Sequence, residues 1–433
     1  MELRSYQQQT LALLRQYLEA LREAQKQRDQ VKELGLDIAF EWTRDAWQCI
    51  KLRGQAYQVR LNGAGEEVPT VCFKIPTGGG KTLLAVKSID AINNVYCGAN
   101  TGLVLWIVPT QQIYRQMLQA LRDKAHPYRQ MLNIGSGGKT LIVEKGSAFS
   151  PADVHEHLVV LMLMLPSANR QNRETLRLFR DHGGFDAFFP AEDQWEAHAA
   201  LLNETPNLDT YGTEGTLGRV VKSSLGNTLC RLNPLIILDE GHKAYSITAQ
   251  ETLLGFNPAF ILELSATPPK GSNILVDIAG RRLHQEGMIK LDMHLYRQAS
   301  VDWRDTMRAS HRHRVALEQI ADEYYQDSGQ YIRPIALVQV ERTGAKQRGQ
   351  GYIHAEDARE FLIEECGVSP DQIAVKSSER DELEQMDLLA ENCPIRYVIT
   401  RQALQEGWDC PFAYILIVLT NPEATTSITQ LVG

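Results

Sequence analysis

Eight short runs rich in Val, Ile and Leu constrain this fold more than any other feature: "TVCFKIP", "GLVLWIVP", "HLVVLMLML", "PLIILDE", "FILELSAT", "RPIALVQV", "IRYVIT" and "YILIVLT". Each is apolar along its length rather than on alternate residues, as a strand is when both its faces are covered. Helical patterns separate the runs. Strands of this kind alternating with helices form parallel sheets, so the chain reads as an α/β protein. Five runs end near Thr267 and three begin near Arg333, which predicts two sheets joined by the segment from about Gly271 to Gln330.

A length of 433 residues allows two or three domains, each able to bury its own core. The formal charge of -8 argues against binding nucleic acid by overall attraction and leaves room only for a local basic groove. Cys49, Cys72, Cys97, Cys230, Cys366, Cys393 and Cys410 are scattered singly, with no Cys-x-x-Cys pair for zinc or redox chemistry, which fits a reducing cytoplasm. The N-terminus carries no basic-then-apolar leader, and "LVVLMLML" and "YILIVL" are too short to cross a bilayer. No membrane partner is expected.

Leu11, Leu14, Leu18 and Leu21 form a stripe on the first helix, read as a core-facing surface. In "RVALEQIADEYYQ", Val315, Leu317, Ile320, Ala321 and Tyr324 share roughly one helical face, read as the opening of the second domain. Residues 203–227 are rich in Gly, Thr and Asn and read as an insertion or mobile loop. The segment 341–354 carries Arg342, Lys346 and Arg348 among glycines; a phosphate-touching loop and a merely solvated one both fit, the solvated one better.

"FKIPTGGGKTLLAVKSI" runs strand, Gly-rich turn, helix. Such a turn aims backbone N–H groups into a concavity at a helix N-terminus that can hold a triphosphate, while a lysine reaches the outer phosphates and a hydroxyl ligates Mg²⁺. Gly78, Gly79, Gly80, Lys81 and Thr82 are the candidates, although the strict pattern has glycine where Ile75 stands. The plain alternative is a Gly-rich turn with an exposed lysine. "PLIILDEGH" supplies carboxylates at another strand end: Asp239 to hold Mg²⁺ through water, Glu240 to orient and deprotonate an attacking water. Two adjacent acids after an apolar strand are costly to bury unpaired, and Mg²⁺ removes that difficulty; the alternative is a strand surfacing into a loop. ATP and Mg²⁺ are the expected ligands.

In this order, "PTGGGKT", "DEGH", "LSATP" and "EGWD...TQLVG" resemble the motifs of superfamily 2 helicases and translocases, in which two tandem RecA-like domains flank ATP. The resemblance is closest to the motor subunit of type III restriction enzymes and related DEAD/DEAH-box defence proteins. It implies a first RecA-like domain over 1–290 and a second over 291–433. By the same resemblance Gln7 in "LRSYQQQT" contacts the adenine, with Arg4 nearby. Thr110 in "WIVPTQQIYRQ" grips the nucleic-acid backbone, although Gln111 stands where many relatives carry arginine. Ser265 and Thr267, with Ala266 between them, link hydrolysis to domain movement, joined by His242 from the Mg²⁺ side. Gly407 and Asp409 approach the ribose and phosphates from the second domain, and Arg401 or Gln402 faces nucleic acid.

Gln430 and Gly433 match the start of the family's last motif, whose arginines reach the γ-phosphate. The expectation is therefore a second domain truncated at its C-terminus, and a chain that binds Mg-ATP but hydrolyses it poorly by itself. The resemblance implies a nucleic-acid-dependent ATPase, a DNA translocase or helicase of a restriction-like, antiviral system, with DNA favoured over RNA and a nuclease or modification subunit as further partner. The alternatives are an RNA helicase, a P-loop ATPase acting on protein, and a nonhydrolytic binding module completed by a partner. His155 with His157 and His311 with His313 are spaced as possible ligand pairs but lack a third ligand and read as surface histidines. "SPDQIAVKS" opens like a nuclease core, yet no acid-x-Lys follows, so no nuclease signature is read.

Overall fold

In the computed structural model, which describes residues 3–35, 41–50, 56–164, 184–211, 219–239, 247–288, 294, 296, 302–343, 348, 351–377, 380–383, 386–401 and 410–419, the apolar runs pair side by side in parallel sheets. The chain divides into two units, Met1–Leu291 and Asp292–Gly433.

The strands of the first unit are β1 (Thr70–Lys74), β2 (Gly102–Val108), β3 (Thr140–Glu144), β4 (Leu158–Met164), β5 (Thr210–Tyr211), β6 (Val220–Val221), β7 (Leu235–Asp239), β8 (Phe260–Ser265) and β9 (Ile274–Asp277). Seven of them form one sheet in the order β3-β4-β2-β7-β8-β1-β9, and each neighbouring pair is parallel. Its helices are α1 (Ser5–Glu33), α2 (Trp42–Cys49), α3 (Lys81–Ala91), α4 (Gln111–Arg122), α5 (Pro127–Gly135), α6 (Pro151–Glu156), α7 (Trp195–Glu204), α8 (Leu225–Leu232), α9 (Ile247–Gly255) and α10 (Gly280–Gln285). They supply two buried clusters. One gathers α1, α3 and alternate residues of the sheet such as Phe73, Trp106 and Leu262; the other gathers Leu105, Leu161, Ile236 and Leu229. Successive residues of β2 thus feed opposite clusters, which is why its run is continuously apolar.

The α1 stripe lies in the first cluster, with Leu14, Leu18 and Leu21 fully buried and Leu11 packed at its margin. Tyr17 joins them, set edge-on to Trp47 of α2. Within 203–227, residues 212–218 lie outside the described residues, and the described flanks are paired. β5 and β6 form an antiparallel pair, and Asn227, buried in α8, exchanges hydrogen bonds of 2.8 Å with both backbone groups of Asp209 and donates another of 2.8 Å to Lys222 O. The expected linker also begins later than Gly271, because β9 lies within it and pairs with β1 as the sheet's outer strand.

The second unit has α11 (Trp303–Ser328), β10 (Ile335–Gln339), α12 (Ala355–Glu364), β11 (Ile373–Lys376), β12 (Tyr397–Thr400) and β13 (Ala413–Val418). Its four parallel strands run β11-β12-β10-β13. Two parallel sheets flanked by helices are what tandem RecA-like domains require. The inner face of α11 differs from the expected one: Met307, Arg314 and Ala321 are buried at seven-residue spacing, whereas Ile320 is 60% exposed. Arg314 causes the rotation. Its Nε donates to the Tyr397 hydroxyl at 2.9 Å and its other end pairs with Glu318 at 2.8 Å, so a polar side chain takes the inward position.

Arg348 pairs with Asp357 at 2.8 Å and with Glu360, both on α12, and Arg342 lies over the Tyr352 ring, while Lys346 lies outside the described residues. His311 is a correction to the surface reading: half-buried, its Nδ1 meets the Tyr397 hydroxyl at 2.7 Å. Pro370 and Asp371 open a short turn into β11, an outer strand of the sheet. Among the described residues, no helix is long and apolar enough to cross a membrane.

Candidate active site

The carboxyl edge of the first sheet collects the described candidates of the first unit. Strand register sets this: Lys74 at the end of β1 lies beside Ser265 at the end of β8, Asp239 at the end of β7 lies beside Leu264, and Ile107 of β2 lies beside Leu238. Thr110, two residues past β2, therefore shares the edge with Asp239, Ser265 and the Gly-rich turn. Four adjacent strands span about 14 Å at the usual spacing. Connections from neighbours β1 and β8 leave in opposite directions, β1 to β2 and β8 past β1 to β9. In open parallel sheets such a reversal makes a crevice where ligands bind.

Leaving β1, the chain closes a turn in which Gly79 N–H donates to Pro76 O at 3.1 Å, with Gly78 at φ 79°. Gly80, the N-cap of α3, has φ 74°, and a Cβ there would lie 2.6 Å from Gln7 Nε2. The positive φ favours glycine there, and a side chain would also have to displace the Gln7 amide. Lys81 and Thr82 open the helix, which runs for 11 residues, with Lys81 buried and Thr82 half-buried. Leu84, Ala85 and Ile89 anchor α3 in the core, so the free N–H groups of its first turn are held at the crevice.

Asp239 is buried at 7% exposure. Tyr128 of α5 has its hydroxyl pKa raised, first by burial and then by the charge of Asp239, so this side chain lies within electrostatic reach of the carboxylate. Ser265 is buried; its carbonyl accepts from Ile75 N at 3.0 Å and its Oγ from Thr267 N at 3.2 Å, which ties "SAT" to the Gly-rich turn. Thr267 Oγ1 is buried with no hydrogen-bond partner among the described residues. A turn with two glycines at positive φ, an anchored helix start, a buried lysine and a buried carboxylate on one edge together fit a Mg-triphosphate. Lys81 and Thr82 would face phosphate and metal, and Asp239 the metal.

Thr110 caps α4, its Oγ1 accepting from Ile113 N at 3.4 Å. Gln7 is buried: its Oε1 accepts from Arg4 N at 3.0 Å and its Nε2 donates to the Tyr6 hydroxyl at 3.3 Å, which puts the amide against the Gly-rich turn. Arg401 is exposed just past β12 in the second unit, its carbonyl accepting from Gln339 Nε2 at 3.5 Å. Glu240, His242, Gln402, Gly407, Asp409 and Gln430 lie outside the described residues. Sequence reasoning missed Tyr6, Tyr128 and Glu286. Tyr6 adjoins a candidate residue in the chain, whereas nothing local marks Glu286, which acts on a segment some 280 residues earlier.

No curated protein matches the chain. Similar solved structures include the ATP-dependent type ISP restriction-modification enzyme LlaBIII bound to DNA, at 12% identity and a TM-score of 0.41, over 84% of this chain and 25% of that one. The DEAD-box helicase Mss116 bound to ssRNA and UDP-BeF is 10% identical with a TM-score of 0.37, over 93% and 71%. The DUF1998 helicase MrfA bound to DNA is 14% identical with a TM-score of 0.38, over 96% and 48%. The chain thus spans less than half the length of LlaBIII and of MrfA. The model of the type III restriction enzyme res subunit matches residues 1–270, more than half of the sequence, and the chain belongs to that family.

Proposed function

We propose that this chain is a nucleic-acid-dependent ATPase, the DNA-translocating or DNA-unwinding motor of a restriction-like or antiviral defence system. One observation carries the reading: the glycine cradle, Lys81 and Asp239 share one edge of one sheet although they are far apart in the chain. Lys81 neutralises charge on the outer phosphates of ATP, and backbone N–H groups of the turn and of the first turn of α3 orient them. Thr82 and Asp239 hold the metal. Mg²⁺ bound there would supply positive charge that offsets the negative charge developing on the leaving oxygen. Glu240 takes the proton from the attacking water, and Gln7 contacts the base. Ser265 and Thr267 pass the change in the turn to the rest of the motor, with His242. Gly407, Asp409 and Gln430 are the second domain's nucleotide-handling residues, while Thr110, Arg401 and Gln402 meet the nucleic-acid backbone.

DNA is favoured over RNA as partner, and a nuclease or modification subunit completes the system. The test is the steady-state ATPase rate with single-stranded DNA, duplex DNA and RNA side by side, for the parent and Lys81→Ala. Stimulation by DNA that vanishes in the variant is expected. A rate indifferent to nucleic acid, or one that survives Lys81→Ala, overturns the proposal.

A further inference from the structure

The Gly79–Gly80 peptide joins two residues with no side chains, and so it is free to turn over in a way that most peptides are not. Its orientation matters to the nucleotide reading on which this inference rests. One face of a trans peptide carries C=O and the other N–H, so the group aimed at the phosphates is an attractive donor in one orientation and a repulsive carbonyl in the other. Something must choose between them. The Gly79 carbonyl accepts a hydrogen bond of 2.6 Å from the hydroxyl of Tyr6, 73 residues earlier in the chain.

Tyr6 is itself held in place. It is fully buried, and the Gln7 amide donates to its oxygen at 3.3 Å, leaving its one proton for Gly79. Burial raises its hydroxyl pKa, so that proton is retained. From the other side, Glu286 grips the first turn of α1: it accepts from Ser5 N at 2.8 Å, Ser5 Oγ at 2.5 Å and Tyr6 N at 3.2 Å. The segment after α10 thus clamps α1, and α1 presents a hydroxyl to the turn.

We propose that Tyr6 is a positioning residue for phosphate binding, its hydroxyl holding the Gly79–Gly80 peptide so that Gly80 N–H faces the phosphate concavity. It touches neither base nor phosphate. Its effect should therefore be the same for every ligand bearing a triphosphate, which separates it from a residue that reads adenine.

The experiment uses the full chain and compares the parent, Tyr6→Phe, Glu286→Ala and Lys81→Ala in binding ATP, GTP and inorganic tripolyphosphate by calorimetry. Each is measured below its own melting temperature, so that lost stability is not read as lost affinity. Tyr6→Phe keeps the ring and removes one hydrogen bond. All three ligands are expected to bind about tenfold more weakly, by a common factor, with the ATP:GTP affinity ratio unchanged. The KM for ATP should rise by about the same factor while kcat stays within about twofold, as when ground and transition states lose equally. Glu286→Ala should move affinity in the same direction by less. Parent-like affinity in both variants, or a changed ATP:GTP ratio in Tyr6→Phe, overturns the positioning role. If Lys81→Ala binds tripolyphosphate as the parent does, the nucleotide site itself is wrong and the role of Tyr6 falls with it. If Lys81→Ala loses binding and Tyr6→Phe does not, only the role of Tyr6 falls.

Discussion

Buried charge is handled differently in the two units. In the first, Lys81 and Asp239 lie where strands end, beside glycines at positive φ and the start of a helix. In the second, Arg333 and Arg314 lie near where strands begin. Arg333, 1% exposed, donates to the carbonyls of Ala390 at 2.9 Å, Cys393 at 2.7 Å and Leu388, with its guanidinium over the Phe412 ring. Arg314 stacks on Tyr397 and binds its hydroxyl and Glu318. These arginines are engaged by the chain's own carbonyls, rings and carboxylates, so their task is to fix the fold. In the function proposed above, Lys81 and Asp239 beside the Gly-rich turn serve a nucleotide instead.

Substitution can break or sharpen that contrast. Lys81→Ala should lower ATP turnover by about a thousandfold with little change in the denaturation midpoint, read by coupled ATPase assay and urea titration. A large stability loss instead would make Lys81 another structural cation. Arg333→Leu should do the reverse, costing about 3 kcal/mol as the carbonyls lose their donor, with nucleotide affinity in the first unit unchanged. Urea unfolding followed alongside calorimetric binding reads both effects. Tyr397→Phe removes one hydroxyl from the arginine network and should cost about 1 kcal/mol in the same titration.

The smallest effect is a pH dependence at the α1 clamp. Hydrogen bonding from Ser5 hydroxyl leads the causes that hold the Glu286 carboxyl below its ordinary value of 4.5. A depressed folded pKa means that the carboxylate's contribution is complete above the unfolded value and is lost as pH falls through the lower, folded one. Between about pH 6 and about pH 3, the parent's melting temperature should therefore fall slightly more than that of Glu286→Gln. Parallel curves would dismiss the clamp as a contributor to stability.

The same physics explains what was legible in the sequence. The runs that became β1, β2, β4, β7, β8, β10 and β12 lie inside their sheets, where cover on both faces demands apolar residues throughout. The unread strands β3, β9 and β11 are outer strands, in which short segments such as "NILVD" and "QIAVK" carry no long apolar run. The outer strand β13 was readable because its run is apolar, and the structure leaves Tyr414 and Leu416 partly exposed on it. The Gly-rich turn, Asp239 and "SAT" could be read because each is a local pattern at a strand end. Tyr6 on Gly79 and Glu286 on Ser5 could not, because they depend on how distant segments dock. The inner face of α11 misled for a related reason: periodicity counts apolar residues, and there an arginine with an aromatic and an acidic partner took the buried place.

The Glu286 clamp has a topological consequence. It joins Ser5 to a residue 281 positions later in the chain, so all seven strands of the first sheet lie within one loop closed by hydrogen bonds.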